Sequence, residues 1–172
     1  MRKKRIWGTL DPFLEGGPIL GRKMANTGFL DALLLADPFE EYHFFLPDED
    51  GAASLAKALA AKHPALARRG AFRFPLRACL PAELRVQQYH CCHLSDFVDR
   101  HPAVSLLRNK YSPRIFPVTS VTHSLSYKDF MPAFLAHLWP GACGRDAIVV
   151  TSRSAEAVVQ NAFAVLRESY GL

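Results

Sequence analysis

The sequence predicts an α/β protein with a doubly wound, mainly parallel sheet and helices on both faces. Short apolar runs typical of buried strands alternate with longer segments of helical period along the chain. This alternation favours parallel strands, which need cover on both sides. The 172 residues are 49% hydrophobic and 22% charged, an ordinary globular composition in a chain long enough to build its own core. We therefore expect residues 1–172 to form a single Rossmann-like domain.

The first half of the chain is predicted to hold four strands and two helices. "RIWGT" and "YHFFLP" are rich in β-branched and aromatic residues, and Pro47 ends the second run. "AFRFPL" is predicted as a third strand, and Pro75 indicates that it lies at a sheet edge or ends early. "RVQQYHCC" is predicted as the fourth strand. Pro18 suits a first helical position, although Asn26-Thr27-Gly28 leaves open a helix start there instead. An Ala- and Leu-rich helix has Asp50 near its start. These elements span residues 5–9, 18–36, 42–47, 50–66, 71–76 and 85–92.

The second half continues the same alternation. "FPVTSVTH" and "DAIVVTS" are apolar, β-branched runs that indicate buried strands. The helical segment before the first of them is broken at Pro102. The last helix has Ser152 or Ser154 as its cap, and Gly171 ends it. In order, the predicted elements span residues 94–111, 116–123, 127–139, 146–152 and 154–170.

The net charge of +5 does not predict a nucleic-acid partner, because four positive charges stand together at residues 2–5. A nucleic-acid binder carries a basic stripe with interleaved aromatics through its folded part. A weak peripheral attraction to an anionic membrane surface is the remaining expectation from this basic start. The apolar run of a signal peptide does not follow, so we expect a cytoplasmic protein. The other clustered arginines, predicted to form a solvated edge, are Arg68, Arg69, Arg73, Arg77 and Arg85.

The stretch "HCCH" at residues 90–93 has the ligand types of a zinc site but not the spacing. Zinc ligands usually come in pairs separated by two or more residues, so that the side chains converge. Four contiguous side chains on a strand alternate between its faces. We therefore expect no metal site, and we interpret Cys91 and Cys92 as buried free thiols.

Polar clusters follow three of the predicted strands, where ligands bind in parallel sheets. If the fold is right, "EGG" after strand one, "YHCCHLSD" after strand four and "THSLSY" after strand five share one edge. A glycine pair lets a phosphate approach the backbone at the start of a helix. An imidazole can donate to or accept from a sugar hydroxyl. The candidate site residues are Gly16, Gly17, His90, His123, Ser124 and Ser126.

Several better-known sites are excluded by the motifs that the sequence lacks. Gly16-Gly17 is not part of the G-x-G-x-x-G dinucleotide fingerprint or of a G-K-[ST] phosphate loop. No G-x-S-x-G elbow is present, so His123 and its neighbouring serines do not form a Ser-His hydrolase.

The order of three motifs resembles the amino-terminal domain of retaining, two-domain glycosyltransferases. These motifs are the Gly-Gly loop after strand one, "VTSVTHSLSY", and "RDAIVVTSRSAEAVVQNAF" near the end. The specific likeness is to glycosyltransferase family 4, whose members have the GT-B fold. It spans nearly the whole chain.

The resemblance implies transfer of a sugar from a nucleotide diphosphate sugar to a sugar or lipid acceptor, with retention of configuration and without a metal or other cofactor. It implies that Gly16 and Gly17 lie against the donor phosphate or the acceptor, and that His123 contacts the transferred sugar. His90 would line the same cleft, with Ser124 and Ser126 beside His123.

The chain departs from the family by lacking a second domain. In relatives that domain holds most nucleotide contacts, the basic side chains that neutralise the leaving diphosphate, and a pair of glutamates. We therefore expect the chain to be the acceptor-side half, inactive or nearly so by itself. The alternative is a noncatalytic flavodoxin-like α/β binding or regulatory module, because this fold serves many functions. A receiver-type regulator is one such module, because acidic residues cluster after strand two at Asp48, Glu49 and Asp50.

Overall fold

A computed structural model describes residues 4–14, 21–98, 100–123, 125, 130–138 and 141–171. The strands in these residues are β1 (Ile6–Thr9), β2 (Glu41–Phe44), β3 (Phe72–Arg73), β4 (Tyr89–Leu94), β5 (Val118–Val121) and β6 (Ala147–Val149). They form one sheet in the order β3-β2-β1-β4-β5-β6, and every neighbouring pair is parallel. This is the strand order of a Rossmann-like sheet, and it confirms the predicted fold class.

Helices connect the strands as the alternating pattern predicts. The described α-helices are α1 (Gly21–Ala36), α2 (Glu49–Lys62), α3 (Pro64–Arg68), α4 (Leu80–Val86), α5 (His101–Tyr111), α6 (Phe130–His137) and α7 (Arg153–Tyr170), and a 3-10 turn spans Arg77–Cys79. Among the described helices, none combines the length and the apolar character needed to cross a membrane.

The two faces of the sheet are covered by different helices, because successive side chains of a strand point to opposite sides. Trp7 of β1 packs in a cluster with apolar residues of α1, α2 and α3. Its neighbour Ile6 packs in a second cluster with α4 and α5. A third cluster joins α6 and α7 to Phe97 and Ile148. The fold is therefore a helix–sheet–helix sandwich.

A buried ion pair fastens the β5–β6 side of the sheet. Arg108 of α5 is fully buried and donates from Nη2 to Oδ2 of Asp146 (3.0 Å) and from Nη1 to the carbonyl of Phe116 (2.8 Å). Asp146 also accepts from the backbone N–H groups of Val118 (2.9 Å) and Cys143 (2.8 Å). Helix α5, the start of β5 and the approach to β6 are thus joined through one carboxylate. Burial by itself would raise the pKa of Asp146, but these donors hold it below its usual range.

Helix boundaries follow the residues that cap them. The Asp48 side chain accepts from the N–H of Gly51 (2.7 Å), so α2 begins slightly earlier than the position of Asp50 indicates. Ser152 accepts from the N–H of Ala155 (3.1 Å) and is the cap of α7, which settles the choice between Ser152 and Ser154. Helix α1 runs without a break through residues 26–28, so the alternative helix start at that point is wrong.

The prediction for the fourth strand is wrong in its first half. Residues 80–86 form α4, with Pro81 in its first turn and with Leu80 and Leu84 buried on one face. Strand β4 begins only at Tyr89 and runs to Leu94, so it contains all of "HCCH", whereas the predicted strand ended at Cys92. The third strand is a two-residue edge strand, as Pro75 led us to expect.

Candidate functional site

The carboxyl ends of β1 and β4 flank the point where the strand order reverses, which is where Rossmann-like folds bind ligands. Asp11, just beyond β1, ties these two strand ends together. Its Oδ2 accepts from the N–H of Ser95 (2.8 Å), and its Oδ1 accepts from Arg100 Nη1 (2.5 Å). The connections that follow the two strands are thereby fixed next to each other.

A mostly apolar pocket of about 160 Å³ lies at this edge, where α1 covers the ends of β5 and β6. We call it the histidine pocket, because two imidazoles are among its walls. Its small size suits part of a ligand, not a whole nucleotide. Its lining residues are Phe13, Ala25, Asn26, Phe29, His93, Val121, His123, Val149 and Thr151.

His123 enters the histidine pocket two residues beyond the end of β5. Its Nε2 lies 3.1 Å from Oδ1 of Asn26, to which it donates. In that tautomer Nδ1 is an acceptor, and it makes no hydrogen bond with the described residues. The imidazole is therefore oriented by α1, and its second nitrogen has no partner in the part of the chain that the structure describes.

Asn26 is a polar side chain on the buried face of α1, in line with Leu30 and Leu34. The residue is only 2% exposed, and its Nδ2 has no hydrogen-bond partner within the described residues. A buried amide donor without a partner costs about 1–3 kcal/mol. A ligand acceptor atom in the histidine pocket would recover that energy.

His93 is a structural wall of the same pocket. Its Nδ1 lies 2.8 Å from Thr119 Oγ1, and its ring lies 4.5 Å from the ring of Phe29 and 5.9 Å from that of Phe13. Burial lowers the pKa of His93 to about 4, so the ring is neutral at pH 7. His93 therefore contributes shape and an aromatic surface, not a charge.

The backbone of Phe13 is strained at this site. Its φ of 57° falls in the left-handed region, where a bulky side chain is rarely found, while its ring is 1% exposed and packs 6.0 Å from Trp7. Such a conformation costs about 1–3 kcal/mol and is concentrated at ligand sites. The chain direction after β1 is thus set by aromatic packing against the local backbone preference.

A second, larger cleft of about 490 Å³ adjoins the same β1–α1 connection. Phe13 faces the histidine pocket, and the next residue, Leu14, lines this second cleft. Three arginines are among its walls, and we call it the arginine cleft. Its charged and polar lining residues are Asp11, Arg22, Asp48, Ser54, Arg77, Ser95, Asp96 and Arg100.

The structure tests part of the predicted site. His123 lies at the carboxyl edge of the sheet, as predicted. His90 does not, because it is the second residue of β4; it is exposed, and its ring lies 5.8 Å from Phe39, near the start of β2. The prediction that His90 lies at the shared edge is therefore wrong. Gly16, Gly17, Ser124 and Ser126 lie outside the described residues.

Three residues of the two cavities were not anticipated from the sequence. Asn26 could have been found as the polar member of an apolar i, i+4, i+8 row. His93 carried no signal apart from "HCCH". Arg77 was assigned to a solvated edge, whereas it is partly buried in the arginine cleft.

No group of three or more His, Cys, Asp or Glu side chains is arranged for a metal ion in the part of the chain that the structure describes. The donors gathered at the site are instead imidazole, amide and guanidinium groups, which suit hydroxyl-bearing and anionic ligands. Comparisons with protein-family models, curated proteins and solved structures gave no match to this chain.

Proposed function

We propose that this chain is the acceptor-side domain of a glycosyltransferase that moves a sugar from a nucleotide diphosphate sugar to an acceptor with retention of configuration. The observation that carries the proposal is the His123–Asn26 pair in the histidine pocket. The pair stands at the carboxyl edge, beside the β1–α1 connection that contains Gly16 and Gly17. The likeness of three sequence motifs to family 4 supports the same proposal.

The chemistry of the pair suits a sugar hydroxyl. Nδ1 of His123 accepts a hydrogen bond from a hydroxyl group, and Nδ2 of Asn26 donates one to a hydroxyl oxygen. Together they offer one acceptor and one donor, which match the dual character of a hydroxyl group. The rings of Phe13 and Phe29 supply the apolar wall against which the C–H face of a sugar packs.

The groups present at the site indicate which catalytic roles this domain has and which a second domain has. The histidine pocket offers imidazole and amide groups that position a sugar, but its described lining residues include no Lys or Arg to stabilise a leaving diphosphate. That stabilisation is usually the largest catalytic term. In the proposed enzyme a second domain stabilises the leaving diphosphate. Residues 1–172 bind the acceptor, and His123 contacts the transferred sugar.

The acidic cluster after β2 gives no support to the alternative of a receiver-type regulator. Such a regulator needs clustered carboxylates at the strand ends, whereas Asp48 caps α2 and Glu49 and Asp50 lie exposed in the first turn of that helix. A noncatalytic binding module of another kind differs from the proposal in one measurable respect, since it would bind a sugar or an anion without transferring anything.

The test is a transfer assay on the protein produced from its complete reading frame. Nucleotide diphosphate sugars are supplied singly with a panel of sugar and lipid acceptors, and the product is detected as the acceptor mass plus one sugar. We expect transfer from at least one donor. We also expect His123→Ala to lower kcat/KM about 10- to 100-fold, which is the loss of a hydrogen bond worth about 1.5–3 kcal/mol. Binding of a sugar without transfer from any donor would favour the noncatalytic module.

A further inference from the structure

We propose that the arginine cleft binds a phosphate group, with Arg77 as its principal ligand, and that this phosphate belongs to the acceptor. The second part rests on the proposed function, whereas the binding of phosphate does not. The cleft lies above the carboxyl ends of β1 and β2, and its volume of about 490 Å³ is within the usual range for small-molecule sites. A sugar phosphate fits such a volume.

The carboxylates of the cleft are already engaged. Asp11 is paired with Arg100 and also accepts from the N–H of Ser95. Asp48 accepts from the N–H of Gly51, and Asp96 accepts from the N–H of Val98. The cleft thus holds three acidic and three basic residues, which cancel in formal charge.

Arg77 is the cation of the cleft whose contacts most favour an anionic ligand. Its Nη2 donates to the carbonyl of Leu10 (2.8 Å), and it forms no ion pair within the described residues. Its Nε is buried without a partner. Burial, and then the nearby charge of Arg100, lower the pKa of Arg77 by more than the nearby carboxylate of Asp11 raises it, so burial of this cation carries a cost in the folded protein. An anion in the cleft would remove that cost.

The geometry favours a phosphate over other anions. A guanidinium presents its donors in a plane that matches two oxygens of a phosphate. Arg22, in the first turn of α1, lines another part of the same cleft and adds a second guanidinium. A phosphate has three oxygens for two such groups.

The cleft and the histidine pocket share the β1–α1 connection through Leu14 and Phe13. An acceptor held by its phosphate in one cavity therefore has its remaining groups beside the other. The same phosphate chemistry occurs on a soluble sugar phosphate and on a lipid headgroup, and the experiment separates these two sources.

The experiment measures binding by the protein from its complete reading frame, with calorimetry for inorganic phosphate, glucose 6-phosphate and glucose. Co-sedimentation measures binding of the protein to phosphatidylcholine vesicles with and without phosphatidic acid. We expect binding that requires the phosphate and weakens with salt. We expect Arg77→Gln to weaken it about 10- to 100-fold, the value of one charge-assisted hydrogen-bond pair. Arg22→Gln, which changes an exposed side chain, should weaken the same binding.

Arg114→Gln is the matched control, because Arg114 is exposed in the loop that precedes β5 at the opposite edge of the sheet. It should bind like the unaltered protein. Glucose 6-phosphate binding without vesicle binding assigns a soluble acceptor, and the reverse assigns a lipid. The inference is overturned if no phosphate-bearing probe binds, or if a properly folded Arg77→Gln and Arg22→Gln both bind normally. Phosphate binding without sugar transfer would overturn the proposed function alone.

Discussion

Acidification from pH 7 to pH 5 is expected to destabilise the fold through His93 and His101, which are both buried and neutral. His101 is 2% exposed, and its Nδ1 lies 2.6 Å from Ser120 Oγ. Burial, and then the nearby His137, lower its pKa to about 4, and burial lowers the pKa of His93 to about 4. Both histidines have their usual pKa of 6.5 in the unfolded chain, so the unfolded state binds more protons.

The sign and the size of the effect follow from this difference. Stabilisation by a group with a lowered pKa is complete above pH 6.5 and is lost as the pH falls toward 4. Between pH 7 and pH 5 the linkage relation gives about 2 kcal/mol for each histidine, or about 4 kcal/mol for both. That is a large share of the typical stability of a domain.

The assay is urea unfolding at half-unit pH steps between 7 and 5. His101→Asn keeps a polar atom near the position of Nδ1 but cannot take up the proton, and we expect its unfolding free energy to fall by about 2 kcal/mol less over this range. His93→Asn should behave in the same way. The reasoning is refuted if both variants show the same pH dependence as the unaltered chain.

Two further predictions concern stability and function. Asp146→Ala should lower the unfolding free energy by about 3–5 kcal/mol, because Arg108 is left buried without its counter-charge; urea unfolding measures this, and a loss below about 1 kcal/mol would contradict the role of the pair. Asn26→Leu removes the unpartnered Nδ2 but also the acceptor of the His123 hydrogen bond, so the unfolding free energy should change by less than about 1 kcal/mol, yet sugar transfer should fall. Asn161→Leu, on the exposed face of α7, is the control, and equal transfer by the two leucine variants would exclude Asn26 from the site.

Most of the strand and helix order was predictable because it depends on local hydrophobic period, which most of the described elements show. The error at residues 85–92 shows the limit of that approach. "LPAELRV" is a helix of only seven residues. It buries Leu80 and Leu84, four residues apart, and has a proline in its first turn. A segment this short gives little periodic signal, and the β-branched Val86 with the aromatic Tyr89 favoured a strand.

The site was predictable only where a residue follows a well-defined strand. His123 was placed correctly because β5 ends shortly before it. His90 was misplaced because "YHCCHLSD" was expected to follow the fourth strand, whereas its first six residues form that strand. Asn26 and Arg77 depend on contacts between segments distant in sequence, such as the 3.1 Å bond between α1 and His123, and no local pattern encodes them.

The central claim is that His123 contacts the sugar that is transferred, and the most direct test compares kcat/KM for transfer by His123→Ala and His90→Ala in the full-length protein. Both variants remove one imidazole, but one lies in the histidine pocket and the other is exposed near the start of β4. The account predicts a loss of about 10- to 100-fold for His123→Ala and an unchanged value for His90→Ala, with equal unfolding midpoints. Equal transfer rates in the two variants would contradict it.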